Sequence, residues 1–222
     1  MRIVAGIAAL SCLLTLARVG ASQPACVSGT GIHDGYFYTS WRDSESACMT
    51  LGEGGNYRVT WDLGARGNLV VGKGWPAGSA ARKVGYRASA FDPGSNGYLA
   101  LYGWTTDPLV EYYVVDSSGS GFTPPGEDAA ALGTLESDGG TYRVYRTRRV
   151  EKPSIQGTQT FDQFWSVRTQ QRPQGADNAI TFANHVAAWR ALGLELGTMD
   201  YQVLATEGFG SKGRADVTVW EE

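Results

Sequence analysis

Histidine and cysteine are scarce in this chain, and with them goes most of the chemistry that depends on those side chains. Among 222 residues there are 2 histidines, His33 and His185, and 3 cysteines. That stock leaves little room for a Ser/His/Asp triad, and no cysteine pair has the spacing of a metal site, so neither a metal nor a cofactor is expected. The sequence also lacks a G-x-S-x-G elbow, an H-E-x-x-H pair and a phosphate-cradling P-loop. Gly72-Lys73-Gly74 has no P-loop spacing around it and is expected to form a turn. Lysine and arginine form no block, and acidic residues outnumber them 22 to 19. An acidic surface without a basic patch argues against nucleic acid and anionic membranes as partners and suits a neutral one.

Long apolar runs are missing too, apart from the N-terminus. There, Arg2 precedes a mostly apolar stretch that Arg18 interrupts, and Val19-Gly20-Ala21 fits a small-residue cleavage site. Residues 1–21 are therefore expected to be a secretory leader, because the apolar run stops short of the ~20 residues that a membrane-spanning helix needs. Its removal would take Arg2 and Arg18, leaving 17 basic residues against 22 acidic ones, a net charge near −5. Cys12 would leave as well. Cys26 and Cys48 then remain in an exported chain, where a disulfide is expected in preference to two free thiols. The remaining 22–222 is the length of one domain, with no linker or low-complexity tail.

From Gly35 onward short alternating segments are separated by Gly-, Asn- and Asp-rich turns. In 56–63 the odd positions, Tyr57, Val59, Trp61 and Leu63, are apolar and the even ones polar. A period of two describes a half-buried strand. Similar segments cover 69–71, 98–104, 111–115, 141–148, 161–168, 201–207 and 216–220. Turn signals lie at 53–56, 93–97 and 137–140, the last resembling a tight hairpin. Such strand density predicts an all-β sandwich or jelly roll. One segment departs from it: Phe182, Val186 and Trp189 recur at helical spacing, with Gly193 as the expected end. His185 on that helix is expected to be a hydrogen-bonded structural histidine.

With other nucleophiles scarce, carboxylates are the remaining candidates for acid/base work. Glu111 opens Glu111-Tyr112-Tyr113-Val114-Val115, and Glu207 closes Tyr201-Gln202-Val203-Leu204-Ala205-Thr206-Glu207. By the period of two, Glu111 shares a face with Tyr113 and Glu207 shares one with Tyr201. The pattern alone leaves open whether they are functional groups or sheet-edge charges. The 7 Trp and 11 Tyr, several on one strand face (Tyr98, Tyr102, Trp104), suit the apolar faces of sugar rings as well as a core. Two carboxylates in an aromatic trough meet the needs of glycoside hydrolysis.

At these residues the sequence resembles glycoside hydrolase family eleven, the β-jelly-roll xylanases. The collinear matches run from Gly35 to Trp220. They include Gly35-Tyr36-Phe37-Tyr38 with Trp41, Gly67-Asn68-Leu69-Val70-Val71-Gly72-Lys73-Gly74-Trp75, Pro108-Leu109-Val110-Glu111-Tyr112-Tyr113, Pro153-Ser154-Ile155 and Ala205-Thr206-Glu207-Gly208-Phe209. The resemblance implies two strongly curved antiparallel sheets with one α-helix, a cleft on the larger sheet, and a thumb hairpin at Pro153-Ser154-Ile155 closing over it. It implies an endo-β-1,4-xylanase that retains configuration, secreted and by default monomeric, acting on xylan and xylo-oligosaccharides. Glu111 matches the nucleophile and Glu207 the general acid/base, with Glu207 protonated at rest because of the negative charge beside it. Trp41, Asn68, Val70, Tyr102, Tyr113, Arg149, Pro153, Gln163 and Tyr201 match residues lining the substrate cleft. Asn68 matches the residue hydrogen-bonded to the general acid, and Asn there goes with activity nearer neutrality than Asp. Activity is accordingly expected to depend on an acid of pKa about 6–7. A related jelly-roll enzyme acting on β-glucan and a non-catalytic xylan-binding protein are the rival expectations. The arm 22–34 and the cysteine pair match nothing in the family pattern.

Overall fold

The computed structural model describes residues 21–123 and 130–222, so the expected leader lies outside the described residues except for Ala21 at its boundary. Alternation in the sequence becomes two layers. The smaller sheet runs in the order β1 (Gln23–Ala25), β4 (Ala47–Leu51), β5 (Asn56–Asp62), β15 (Lys212–Glu221), β7 (Lys83–Asp92) and β13 (Asp177–Thr181). The larger has nine strands: β10 (Gly133–Ser137), β11 (Gly140–Ser154), β12 (Gly157–Arg168), β9 (Val110–Ser118), β8 (Gly97–Thr106), β14 (Thr198–Phe209), β6 (Asn68–Trp75), β3 (Tyr36–Arg42) and β2 (Gly29–His33). All neighbouring strands pair antiparallel except β9 and β12, which run parallel, with Gln163 beside Glu111.

The period of two sorts the side chains of the larger sheet into two sets. Leu69, Val71, Leu99, Leu101, Tyr112, Val114 and Leu204 face the smaller sheet and pack against its Tyr57, Val59, Trp61, Tyr86, Val217 and Val219 as the main core. Their sequence neighbours Val70, Ala100, Tyr102, Tyr113, Val115, Val203 and Ala205 form a second apolar cluster on the opposite face. A one-residue slip of any of these strands would exchange the two sets, so burial fixes the register.

Local chemistry sets the strand ends. Asp34-Gly35 joins β2 to β3 and Asp138-Gly139 joins β10 to β11; all four residues have positive φ, the signature of a two-residue type I′ hairpin. Apart from β5, the strands are longer than the alternating segments suggest, and β1–β4, β7, β10 and β13 lie outside those segments. In β7 small residues such as Gly85, Ala88 and Ala90 hide the alternation.

Gly72-Lys73-Gly74 is not a turn. It lies inside β6, where close approach of β14 leaves no room for a Cβ at either glycine: one on Gly72 would stand 2.3 Å from the Leu204 carbonyl oxygen. Lys73 points between the sheets, fully buried, and donates to the carbonyls of Gly52 (2.8 Å) and Gly54 across the sandwich. Burial holds its ammonium down to about 8.

The single helix among the described residues, α1 (Phe182–Ala191), falls where the spacing placed it, followed by Gly193 at positive φ. Its inward stripe is Phe182, His185 and Trp189, with Val186 only partly buried. Phe182 stacks on Tyr112 of the larger sheet at 5.0 Å. His185 is fully buried edge-on to Tyr142, and neither ring nitrogen has a hydrogen-bond partner. It is a packing histidine, not a hydrogen-bonded one, and burial pushes it down to about 3.

Candidate active site

The second face of the larger sheet is the floor of a cleft enclosing ≈ 260 Å³. Every residue expected at the site lines it: Glu111, Glu207, Trp41, Asn68, Val70, Tyr102, Tyr113, Arg149, Pro153, Gln163 and Tyr201. They come from seven strands far apart in sequence.

Three features of the sheet bring them together. β8 lies between β9 and β14 and so carries Tyr102 and Trp104 between the two glutamates. The parallel pairing of β12 with β9 sets Gln163 at the height of Glu111. On β11 a bulge places Val150 and Glu151 opposite the single residue Thr160, with Glu151 at φ 51°. Bulges bend a strand locally, and beyond this one Lys152, Pro153 and Ile155 of the β11–β12 hairpin line the cleft.

Glu111 is 7% exposed and fully engaged. Its Oε1 accepts from the hydroxyls of Tyr102 (2.8 Å) and Tyr113 (2.9 Å), and its Oε2 accepts from the Gln163 amide at 2.6 Å. The Trp104 indole donates to the Tyr102 hydroxyl at 2.7 Å, which leaves that hydroxyl's proton for Glu111. Burial raises the Glu111 pKa, while Gln163, Tyr102, Tyr113 and the positive charge of Arg149 oppose the rise.

Glu207 is equally buried but held differently. It sits on β14 between Val70 of β6 and Tyr98 of β8. Its Oε2 has no hydrogen-bond partner, and neither has the buried Oδ1 of Asn68 two positions along the adjoining strand. Burial and then the Glu111 charge push Glu207 up to about 8, against contributions from Tyr98, Tyr113 and Asn68 that favour the ion. Burial, more than the neighbouring charge, is thus the principal cause of the rise. Three donors favour the ionised form of Glu111 against its burial, whereas the buried, unpartnered oxygen of Glu207 favours the proton. Tyr113 reaches both, donating to Glu111 and also contacting Glu207.

The rest of the cleft is aromatic. Tyr201 packs between Phe37 and Tyr102, and Trp41 stands 37% exposed on β3 across from Val70. Trp165 stacks on Tyr113 with ring centroids 3.8 Å apart and planes within 3°. Tyr98, directly across from Glu207, is absent from the residues expected at the site; its parity with Tyr102 and Trp104 was the available signal. Ile155 of the expected thumb hairpin lines the cleft, as do Thr30, Thr39 and Lys152, which nothing in their local sequence marks. Away from the cleft, Cys26 and Cys48 are joined, with their Cα atoms 4.3 Å apart. Among the described residues no cluster of His, Cys, Asp and Glu could hold a metal ion, and no helix is long and apolar enough to cross a membrane.

Comparison with known proteins places this arrangement. Residues 33–218 match the sequence model described as Glycosyl hydrolases family 11. The chain is 48% identical over 193 residues to Ethylene-inducing xylanase 1 of Botryotinia fuckeliana, covering 86% of this chain and 66% of that protein. It is 49% identical over 193 residues to Probable endo-1,4-beta-xylanase B of Aspergillus clavatus, covering 86% and 83%. It is 47% identical over 202 residues to Bifunctional xylanase/xylan deacetylase of Cellvibrio japonicus, covering 90% of this chain but 30% of that protein. The chain therefore spans just under two thirds of the first of these relatives and less than a third of the last.

Proposed function

The chain belongs to glycosyl hydrolases family 11, and on that premise we propose that it is a secreted endo-β-1,4-xylanase that retains anomeric configuration, with Glu111 as nucleophile and Glu207 as general acid/base. One observation carries the assignment of roles: two buried carboxyls on the floor of one cleft, one saturated with hydrogen-bond donors and the other left with an idle oxygen. Relatives named as xylanases support the substrate class.

In the first step Glu207 gives its proton to the leaving glycosidic oxygen while a Glu111 oxygen bonds to the anomeric carbon. Retention requires the two carboxyls to be about 5–5.5 Å apart. Forming the ester cancels the Glu111 charge, which lowers the Glu207 pKa and suits it to serve as the base of the second step. Glu207 then takes a proton from water, water attacks the anomeric carbon, and Glu111 leaves as the carboxylate it was at the start. Trp41 offers an aromatic plane to a sugar ring further along the cleft, and the hairpin carrying Pro153 closes over the chain. A xylan chain or xylo-oligosaccharide needs nothing from a second subunit, because one chain supplies the whole cleft, and we take the protein to act as a monomer. Residues 1–21 are assigned as its leader and 22–222 as a single catalytic domain.

Release of reducing ends from soluble xylan, with carboxymethyl cellulose in parallel, tests this for the wild type, Glu111→Gln and Glu207→Gln. Activity on xylan alone, lost in both variants, is the expected result. A folded wild type without activity would overturn the catalytic assignment, and equal activity on both polymers would move the substrate class to β-glucans generally.

A further inference from the structure

We propose that Thr147, on β11 two strands away from Glu111, is a positioning residue for the nucleophile: its hydroxyl fixes the direction of a hydrogen-bond chain that ends on the Glu111 carboxylate. This rests on the assignment of Glu111 as nucleophile. Thr147 never touches that carboxylate. Its Oγ1 donates to the Gln163 Oε1 at 2.9 Å and accepts from the Trp165 indole Nε1 at 3.2 Å. Gln163 Nε2 then donates to Glu111 Oε2 at 2.6 Å.

The chain can run in one direction only. An indole N–H is a donor and nothing else, so it fills one lone pair of the threonine hydroxyl, whose proton stays free to be donated. Donating that proton to Gln163 requires the amide to present its oxygen there. The amide nitrogen is thereby turned toward Glu111, where an ionised carboxylate can only accept. Without the hydroxyl the amide could rotate and set its oxygen against the Glu111 Oε2, replacing a charge-assisted hydrogen bond by repulsion.

Trp165 strengthens the case because it serves both oxygens of Glu111. Its indole N–H sets the Thr147–Gln163 arm, which reaches Oε2, and its ring lies flat on Tyr113, whose hydroxyl donates to Oε1. Gln163 and Trp165 are 7% and 4% exposed. Water is a poor substitute at such sites, so the orientation has to come from the protein. The register explains the reach: Thr147 faces Gln163 across the β11–β12 pair, and Gln163 faces Glu111 across the β12–β9 pair.

Thr147→Val keeps the shape of the side chain and removes the hydroxyl; Thr147→Ser keeps the hydroxyl. The measurement is the pH dependence of kcat and kcat/KM on soluble xylan for both, with thermal unfolding in the same buffers, and Thr147→Val combined with Gln163→Met. Thr147→Val should lower kcat about tenfold with little change in KM, as loss of the Gln163 hydrogen bond to the charged Glu111 implies once the amide is free to turn. Its acid limb should move to higher pH by about half to one unit, because the ionised Glu111 has lost a donor. Thr147→Ser should recover most of both effects, and in the Gln163→Met background Thr147→Val should cost nothing further. An acid limb superimposable on the wild type, or a full Thr147→Val effect persisting without Gln163, would overturn the proposal. A wild type inactive on xylan, or a Glu111→Gln variant as active as the wild type, would instead overturn the assignment on which it rests.

Discussion

Glu207→Gln should make the protein more stable at neutral pH while abolishing its activity, and the gain should depend on pH in a defined way. In the folded chain Glu207 is pushed from an ordinary value of 4.5 up to about 8, burial being the largest cause. Below pH 4.5 both folded and unfolded chains hold the proton, and the stability that goes with the neutral buried carboxyl is fully present. Between 4.5 and 8 the unfolded chain releases the proton and the folded chain keeps it, so each pH unit favours unfolding by about 1.4 kcal/mol. At pH 7 the accumulated loss is about 3 kcal/mol; above the folded pKa it levels off. Glutamine has the same shape and no titration, so the variant escapes the loss. For a domain of this size about 3 kcal/mol corresponds to roughly 6–12 °C in Tm. Urea midpoints for wild type and variant at pH 4 to 9 measure it. The two curves should lie close together at pH 4, diverge up to pH 8 and run parallel beyond. Glu111→Gln serves as the control: the Glu111 carboxylate already has three donors, and replacing it should bring no comparable gain. Wild-type and Glu207→Gln curves parallel over the whole range would refute the claim that the cleft holds Glu207 protonated.

Three further outcomes are expected. The alkaline limb of kcat/KM should fall near pH 8 as Glu207 loses its proton, and Tyr98→Phe should move it upward, since Tyr98 favours the ionised form; a limb unmoved in Tyr98→Phe would exclude that contact. Asp116 is 1% exposed and accepts from Tyr86 (2.7 Å), Tyr142 and Arg172 (3.0 Å), so Asp116→Asn, which strands the partly buried Arg172, should cost about 3 kcal/mol in urea unfolding; a cost below 1 kcal/mol would show that the network is not a stabilising tie. Reducing Cys26–Cys48 should cost roughly 3 kcal/mol through the freed loop, and an unchanged Tm in reductant would exclude a stabilising role.

Some of this was legible in the sequence because it is local. The alternation of Tyr57, Val59 and Trp61, the Asp138-Gly139 turn and the spacing of Phe182 and Trp189 each follow from a few consecutive residues and the geometry of one strand, turn or helix. Both glutamates and the cleft residues stood out through their resemblance to a family, since alternation by itself left Glu111 and Glu207 ambiguous. Lys73 and His185 went the other way. Gly72-Lys73-Gly74 has turn composition, yet the close approach of β14 keeps it in a strand. His185 has a polar ring, yet the helix turns it into an apolar core without a partner.

Composition, periodicity and turn chemistry therefore determined an all-β chain with one helix and decided which residues share a face, because those properties depend on neighbours two to four positions apart. Which strands become neighbours depends on contacts between segments up to about 160 residues apart, as Thr218 and Asn56 are, and only the tertiary structure decided that. It set Gln163 beside Glu111 through the parallel β9–β12 pair and Tyr98 across from Glu207, and it surrounded one carboxyl with donors while leaving the other an idle oxygen. The protonation states that the proposed chemistry needs would arise from that difference in surroundings, since the two side chains are both glutamates.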